Sequence, residues 1–156
     1  MIELDIPDFG SVRLEHLVMD YNGTLAVDGR FIPGVRKRLR RLSKKLTLHI
    51  LTADTFGLVS RQAAGLPCRV KIVSSEKQSN EKLKYVKELG ADNTAAIGNG
   101  RIDRLMLKGA KIGIACILKE GGTSECLTAA DVIAANINDA LDLFLNPLRL
   151  KATLRG

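Results

Sequence analysis

Short apolar segments that read as strands alternate with segments of helical periodicity along nearly all of the 156 residues, and no other feature constrains the fold as much. Residues 2–6 (IELDI) and 12–20 (VRLEHLVMD) read as strands around a turn at 7–11, an N-terminal β-hairpin. Pro33 and Gly34 then open a helix that runs to about Lys45. Further strands are expected at 46–51, 68–73, 94–97, 111–117 and 131–135. Between them, helices are expected at 55–64, 76–89, around Ile102–Ala110 and at 123–130. The 76–89 helix stops at Gly90, a residue suited to the position just past a helix end. A last helix, marked by Ile137, Leu141, Phe144 and Leu145, ends at Pro147. Strands that alternate with helices build βαβ units, so the expectation is α/β: a three-layer α/β/α sandwich around a mostly parallel sheet. Residues 1–156 read as one domain, with no linker, repeat or low-complexity tract.

Composition removes several function classes. No apolar run approaches the roughly 18 residues a membrane helix needs, so no membrane partner is expected. The N-terminus, MIELDIPDFG, carries acids where a secretory signal would carry bases, which points to a cytoplasmic protein. Aromatic residues are 4% and Trp is absent, which argues against binding nucleic acid by base stacking. The three cysteines, Cys68, Cys116 and Cys126, have no CxxC spacing and read as small buried apolar residues. The net charge of +7 comes from one place. From Arg36 to Lys45 there are seven bases and no acid, and without them the chain has 17 bases against 17 acids. Val35, Leu39, Leu42 and Leu46 form one apolar face there, so the bases read as a solvated helix face, with an anionic partner such as nucleic acid as the alternative.

In such a fold, ligands meet the carboxyl ends of the strands. Four polar clusters fall there or can face them: Asp20-Tyr21-Asn22-Gly23-Thr24, Thr52-Ala53-Asp54, Lys82, and Gly98-Asn99-Gly100-Arg101-Ile102-Asp103. Together they supply a carboxylate nucleophile, a hydroxyl, an ammonium and oxygen ligands for a hard cation. This is a kit for phosphoryl transfer to an aspartate.

The same residues resemble a known family. LVMDYNGTL is similar to the first motif, usually DxDGT, of the haloacid dehalogenase-like (HAD) superfamily; ILTAD and GNGRID resemble its Thr/Ser motif and its acidic motif, usually GDGxxD. More narrowly, 82–89 and GNGRIDRLMLKGAKIGIA resemble the phosphorylation domain of P-type ATPases, which suggests a soluble branch without membrane helices. The resemblance implies a Rossmann-like, HAD-like fold. It makes Asp20 the nucleophile and a Mg²⁺ ligand, with the Asn22 carbonyl, Asn99 and Asp103 as further ligands. Asn22, Gly23, Thr24, Thr52, Ala53 and Lys82 would hold the phosphoryl group. The catalytic set would be Asp20, Asn22, Thr52 and Lys82, and Mg²⁺ the cofactor.

Two departures accompany it. Asn22 stands where HAD phosphatases usually carry an acid that shuttles a proton, and an amide cannot do so near pH 7. Asn99 replaces a second carboxylate, so weak Mg²⁺ binding and slow turnover are expected. The 31 residues between Asp20 and Thr52 and the 29 between Thr52 and Lys82 leave no room for a cap domain or a nucleotide-binding insert. The expected function is a capless phosphatase acting on a phosphorylated substrate. A bulky substrate, or a homo-oligomer whose neighbour serves as lid, suits an open site. The alternative is a catalytically weak phosphate- or phosphoprotein-binding regulator; a receiver-like switch is disfavoured, because no acidic pair precedes the nucleophile strand. Lys77 and Lys84 compete with Lys82, and Asp54 reads as the cap of the helix after it. Arg101 reads as solvated or substrate-facing, and His16 and His49 as core or edge residues.

Overall fold

The computed structural model describes residues 1–156. β1 (Ile2–Ile6) and β2 (Gly10–Leu14) form the expected antiparallel hairpin, but β3 (His16–Asp20) is a separate strand of the central sheet. The break falls at Glu15, whose N–H donates to Asn93 O while its carbonyl accepts from Thr47. Burial shows why the two strands differ. In β2, Val12 and Leu14 alternate with exposed residues, as a sheet with one wet face requires, whereas Leu17, Val18 and Met19 of β3 are all buried, as in a parallel strand covered on both sides.

β4 (Ala26–Val27) and β5 (Arg30–Phe31) make a small second hairpin that the sequence reading missed. Its turn, Asp28-Gly29, has φ of 50° and 77°, the two positive values of a type I′ turn. The basic helix α1 (Val35–Leu42) buries Val35, Leu39 and Leu42. Two of its bases belong to the fold. Arg38 forms a two-pronged pair with Asp142 (2.9 and 2.7 Å), and Arg36 bonds Gln62 and lies 4.8 Å over the Phe31 ring. Lys37, Arg40, Arg41, Lys44 and Lys45 face solvent.

β6 (Thr47–Thr52) and β7 (Cys68–Ile72) flank α2, which spans only Val59–Ala63. Asp54 (φ 52°) and Gly57 (φ 64°) hold the expected first turns of that helix as a loop. α3 (Gln78–Leu89) leads to β8 (Thr94–Gly98), α4 (Arg104–Gly109) to β9 (Ile112–Cys116), and α5 (Ser124–Ala129) to β10 (Val132–Ala134). α6 (Ile137–Leu145) is followed by α7 (Pro147–Leu154). Pro147 therefore ends one helix and opens another at the first position, where its missing N–H costs nothing.

Six strands form one parallel sheet in the order β10-β9-β8-β3-β6-β7. The chain runs outward from β3 in both directions, so the reversal of strand order lies between β3 and β8. Alternate residues of each strand feed two cores. Leu17, Met19, Leu48, Ile50, Ala95 and Ile97 join the larger one with α1, α6 and the N-terminal hairpin. Val18, Leu51 and Ala96 join the smaller one with Val86 of α3, Met106 and Leu107 of α4, and Cys126 of α5. Burial raises the thiols of Cys116 and Cys126 to about 12 and that of half-buried Cys68 to about 11, so all three are protonated near neutrality. No helix is long and apolar enough to cross a membrane.

Candidate active site

Asp20 ends β3 and Gly98 ends β8, so the Asp20 and Asn99 loops leave the sheet side by side at the reversal of strand order. α3 runs past this point, and Lys82 and Val86, one helical turn apart, are its buried residues. Lys82 is fully buried; its Nζ lies 2.6 Å from Asp20 Oδ1 and 2.7 Å from Asp103 Oδ1. Lys84 instead pairs with Glu88 in solvent, and Lys77 precedes the helix. The structure brings Lys82, and neither competitor, to the carboxylates.

Each carboxylate is held on its second oxygen as well. Asp103 Oδ2 accepts from the Asn99 and Gly100 amides, both at 3.0 Å. Gly98 makes that approach possible, because a Cβ there would lie 2.5 Å from the Asp103 Cβ. Asp20 Oδ2 lies 3.1 Å from Thr24 Oγ1, which is also 3.2 Å from Asn99 Oδ1. Thr52, at the end of β6, is buried and accepts from the Asp54 amide at 2.9 Å, which leaves its own hydroxyl proton free to donate. Ala53 follows it, half-exposed. Asp54 is a cap, as its residue type suggests: Oδ1 accepts from Leu58 and Val59 at the start of α2.

Asn22 is turned elsewhere. Its Oδ1 accepts from Gly29 N at 3.1 Å, and the neighbouring Tyr21 hydroxyl donates to Gly29 O at 2.8 Å. The β4–β5 hairpin is thereby tied to the Asp20 loop, a support readable in the Asp-Gly turn but missed. Arg101 is exposed and pairs with Glu125 at 2.8 Å. His16 and His49 lie between strand and helix, His49 bonding both His16 (3.1 Å) and Tyr85 (2.9 Å).

The electrostatics are unbalanced. Two carboxylates face one ammonium in a buried site. Burial first, and then the Asp103 charge, push Asp20 up to about 6, with Lys82 and Thr24 opposing. Burial alone would lower Lys82, yet the two carboxylates outweigh it and hold it above its ordinary value. With both acids ionised the cluster is one positive charge short. The oxygens around it, from Asp20, Asp103 and the Asn99 amide, are hard donors of the kind Mg²⁺ takes. No three His, Cys, Asp or Glu side chains converge into a ready-made metal cluster. The residues present fit a weakly held hard divalent cation.

No model of a known protein family matches the chain. The uncharacterized protein MJ0073 of Methanocaldococcus jannaschii is 47% identical over 90 residues, 53% of this chain and 97% of that protein. Among solved structures, the 3-deoxy-D-manno-octulosonate 8-phosphate phosphatase of Moraxella catarrhalis, in complex with magnesium, phosphate and the sugar, superposes with a TM-score of 0.71 at 21% identity, covering 85% of this chain and 86% of that one. A protein of Legionella pneumophila assigned to the HAD superfamily, subfamily III A, gives 0.71 at 20% identity over 90% and 87%. The chain belongs to the family of MJ0073, and its fold is HAD-like. In the HAD-like fold the end of the first central strand, here Asp20, lies in the crevice where strand order reverses, and the Lys82 bridge sits in that crevice.

Proposed function

We propose that the chain is a Mg²⁺-dependent phosphatase acting through an aspartyl phosphate on Asp20. One observation carries this reading: a fully buried lysine bridges two carboxylates at the carboxyl end of the parallel sheet, with a strand-end hydroxyl on β6. The magnesium and phosphate held in complex by the octulosonate phosphatase of Moraxella catarrhalis support the same chemistry. An Asp20 oxygen attacks phosphorus and the bond to the substrate oxygen breaks. Lys82 balances the charge, while Thr52, Ala53 and the Asn22-Gly23-Thr24 loop hold the phosphoryl oxygens. The departing oxygen takes its proton from water, because the Asn22 amide has none to give. Water then attacks phosphorus, phosphate leaves and the carboxylate is regenerated.

When bound, Mg²⁺ would be held by Asp20, the Asn22 carbonyl, Asn99 and Asp103, and would supply neutralisation of phosphoryl charge. The stretch between Asp20 and Thr52 holds only a two-stranded hairpin, α1 and β6, and that between Thr52 and Lys82 only α2, β7 and the start of α3. We read this as one capless cytoplasmic domain with an open site, suited to a bulky phosphorylated substrate. The narrower kinship with P-type ATPase phosphorylation domains rests on residues 82–89 and 98–115. A second reading, a phosphate-binding regulator with little turnover, is favoured by the Asn22 side chain being committed to Gly29.

Hydrolysis of p-nitrophenyl phosphate with and without Mg²⁺, on wild type and Asp20→Asn, separates the two. Mg²⁺-dependent release abolished in Asp20→Asn supports the phosphatase. Phosphate binding without turnover supports the regulator.

A further inference from the structure

The two Asn departures leave the site short of acids, yet the fold brings in another carboxylate from a segment outside the motifs. β9 ends at Cys116, and the chain turns back at Leu118–Gly121, where the Gly121 N–H donates to Leu118 O at 2.9 Å and Gly121 has φ of +74°. This turn is fastened to the site. Asn99 Nδ2 donates to Gly121 O at 3.0 Å, and Thr123 N donates to Asn99 O at 3.1 Å. Glu120, within the turn, reaches over the Asp20 loop: a Cβ built on Gly23 would lie 2.3 Å from Glu120 Oε2 and 2.7–2.9 Å from the Asn99 amide. Gly23 thus leaves open the space into which both side chains point. Glu120 enters none of the seven ion pairs of the fold.

An unpaired anion aimed at a site already one charge negative is repelled. The arrangement makes sense when a cation lies between. Exposed Glu120 does not converge with Asp20 and Asp103 into a three-carboxylate cluster, so it acts from outside the pair; the three acids against Lys82 still sum to two negative charges, the complement of one divalent cation. The Asn99 amide offers the site a neutral oxygen, because its Nδ2 is spent on Gly121. We propose that Glu120 supplies the charge missing at Asn99, holding the divalent cation through one of its waters. The inference rests on the phosphatase reading above only in taking the cation to sit at Asp20.

The test is direct cation binding: calorimetric titration of Mn²⁺ into phosphate-free protein, for wild type, Glu120→Gln, Asp20→Asn and, as a control for overall charge, Glu3→Gln on the N-terminal hairpin. Glu120→Gln weakens Mn²⁺ affinity roughly tenfold, what one unit charge is worth a few ångströms from a divalent ion in a largely solvated setting. Glu3→Gln leaves it unchanged, and Asp20→Asn abolishes binding. Wild-type affinity in Glu120→Gln, or equal losses in Glu120→Gln and Glu3→Gln, overturns the role of Glu120 while the Asp20 site stands. Wild-type affinity in Asp20→Asn, or no binding by wild type, overturns the cation site and Glu120's role with it. Unchanged circular dichroism and melting of Glu120→Gln in cation-free buffer shows that the loss is not one of folding.

Discussion

Asp20→Asn is expected to stabilise the cation-free protein at neutral pH while removing its chemistry. The wild-type carboxyl is raised from 3.8 to about 6 by burial and by Asp103. Between those two values the folded chain retains a proton that the unfolded chain has released, so stability falls as pH rises through that window and stays lower above it. At 1.36 kcal/mol per unit, the ionised carboxylate costs the fold at most about 3 kcal/mol. Relaxation and water at the cleft reduce this to roughly 1–2 kcal/mol, or about 3–8 °C in Tm for a chain of this size. The amide keeps the shape: its oxygen accepts from Lys82 and its Nδ2 can donate to Thr24 Oγ1, leaving Lys82 and Asp103 as a balanced pair. The assay is urea or thermal unfolding of both proteins from pH 4 to 8 in chelator. The variant is more stable at pH 8, and the gap closes by pH 4. Adding Mg²⁺ narrows the gap at pH 8, since ligand at ten times its Kd stabilises only the protein that binds it, by about 1.4 kcal/mol. A variant less stable than wild type at pH 8, with a gap that persists at pH 4, refutes the picture of an under-neutralised site.

Lys82→Met leaves two buried carboxylates uncompensated and costs about 3–5 kcal/mol, read as a Tm fall; adding Asp20→Asn recovers part of it. Asn22→Asp supplies an acid to the Asp20 loop that can shuttle a proton once its side chain swings from Gly29 N toward the phosphoryl group. At saturating Mg²⁺ the rate rises several-fold, toward the 10²–10⁴ typical of general acid–base help, and without Mg²⁺ it falls through repulsion with Asp20; a titration of both proteins measures this. His49, held by burial at about 4 against 6.5, binds its proton less readily folded than unfolded, so stability is lost as pH falls from 6.5 towards 4. His49→Gln flattens that limb of the unfolding curve. Asp20 works in the opposite direction over the same range, which is why the difference between wild type and Asp20→Asn, not either curve alone, isolates it.

Most of the sheet was legible because parallel strands buried on both faces leave continuous apolar runs, as at LVM and LHIL. The merged 12–20 strand shows the limit. The change from alternating burial in β2 to continuous burial in β3 is written in VRLEHLVM, but the bend at Glu15 is set by hydrogen bonds to Asn93 and Thr47, far along the chain. α7 was lost because Pro147 marks a helix start as readily as a helix stop. At the site, Lys82 stood out by spacing from Leu89; that it alone faces inward follows from sharing a face with Val86. Glu120 left no trace in the sequence. Its approach to Gly23 joins loops nearly a hundred residues apart and depends on a turn fastened by Asn99.

The central claim, that Asp20 takes up a phosphoryl group, is tested most directly by trapping it. Protein incubated with acetyl phosphate or p-nitrophenyl phosphate and Mg²⁺, quenched in acid and digested, is expected to show one phosphoryl group on the peptide containing Asp20, released by hydroxylamine and absent in Asp20→Asn. A hydroxylamine-labile phosphoryl group on another residue, or turnover with the same label-free peptide in wild type and Asp20→Asn, contradicts it.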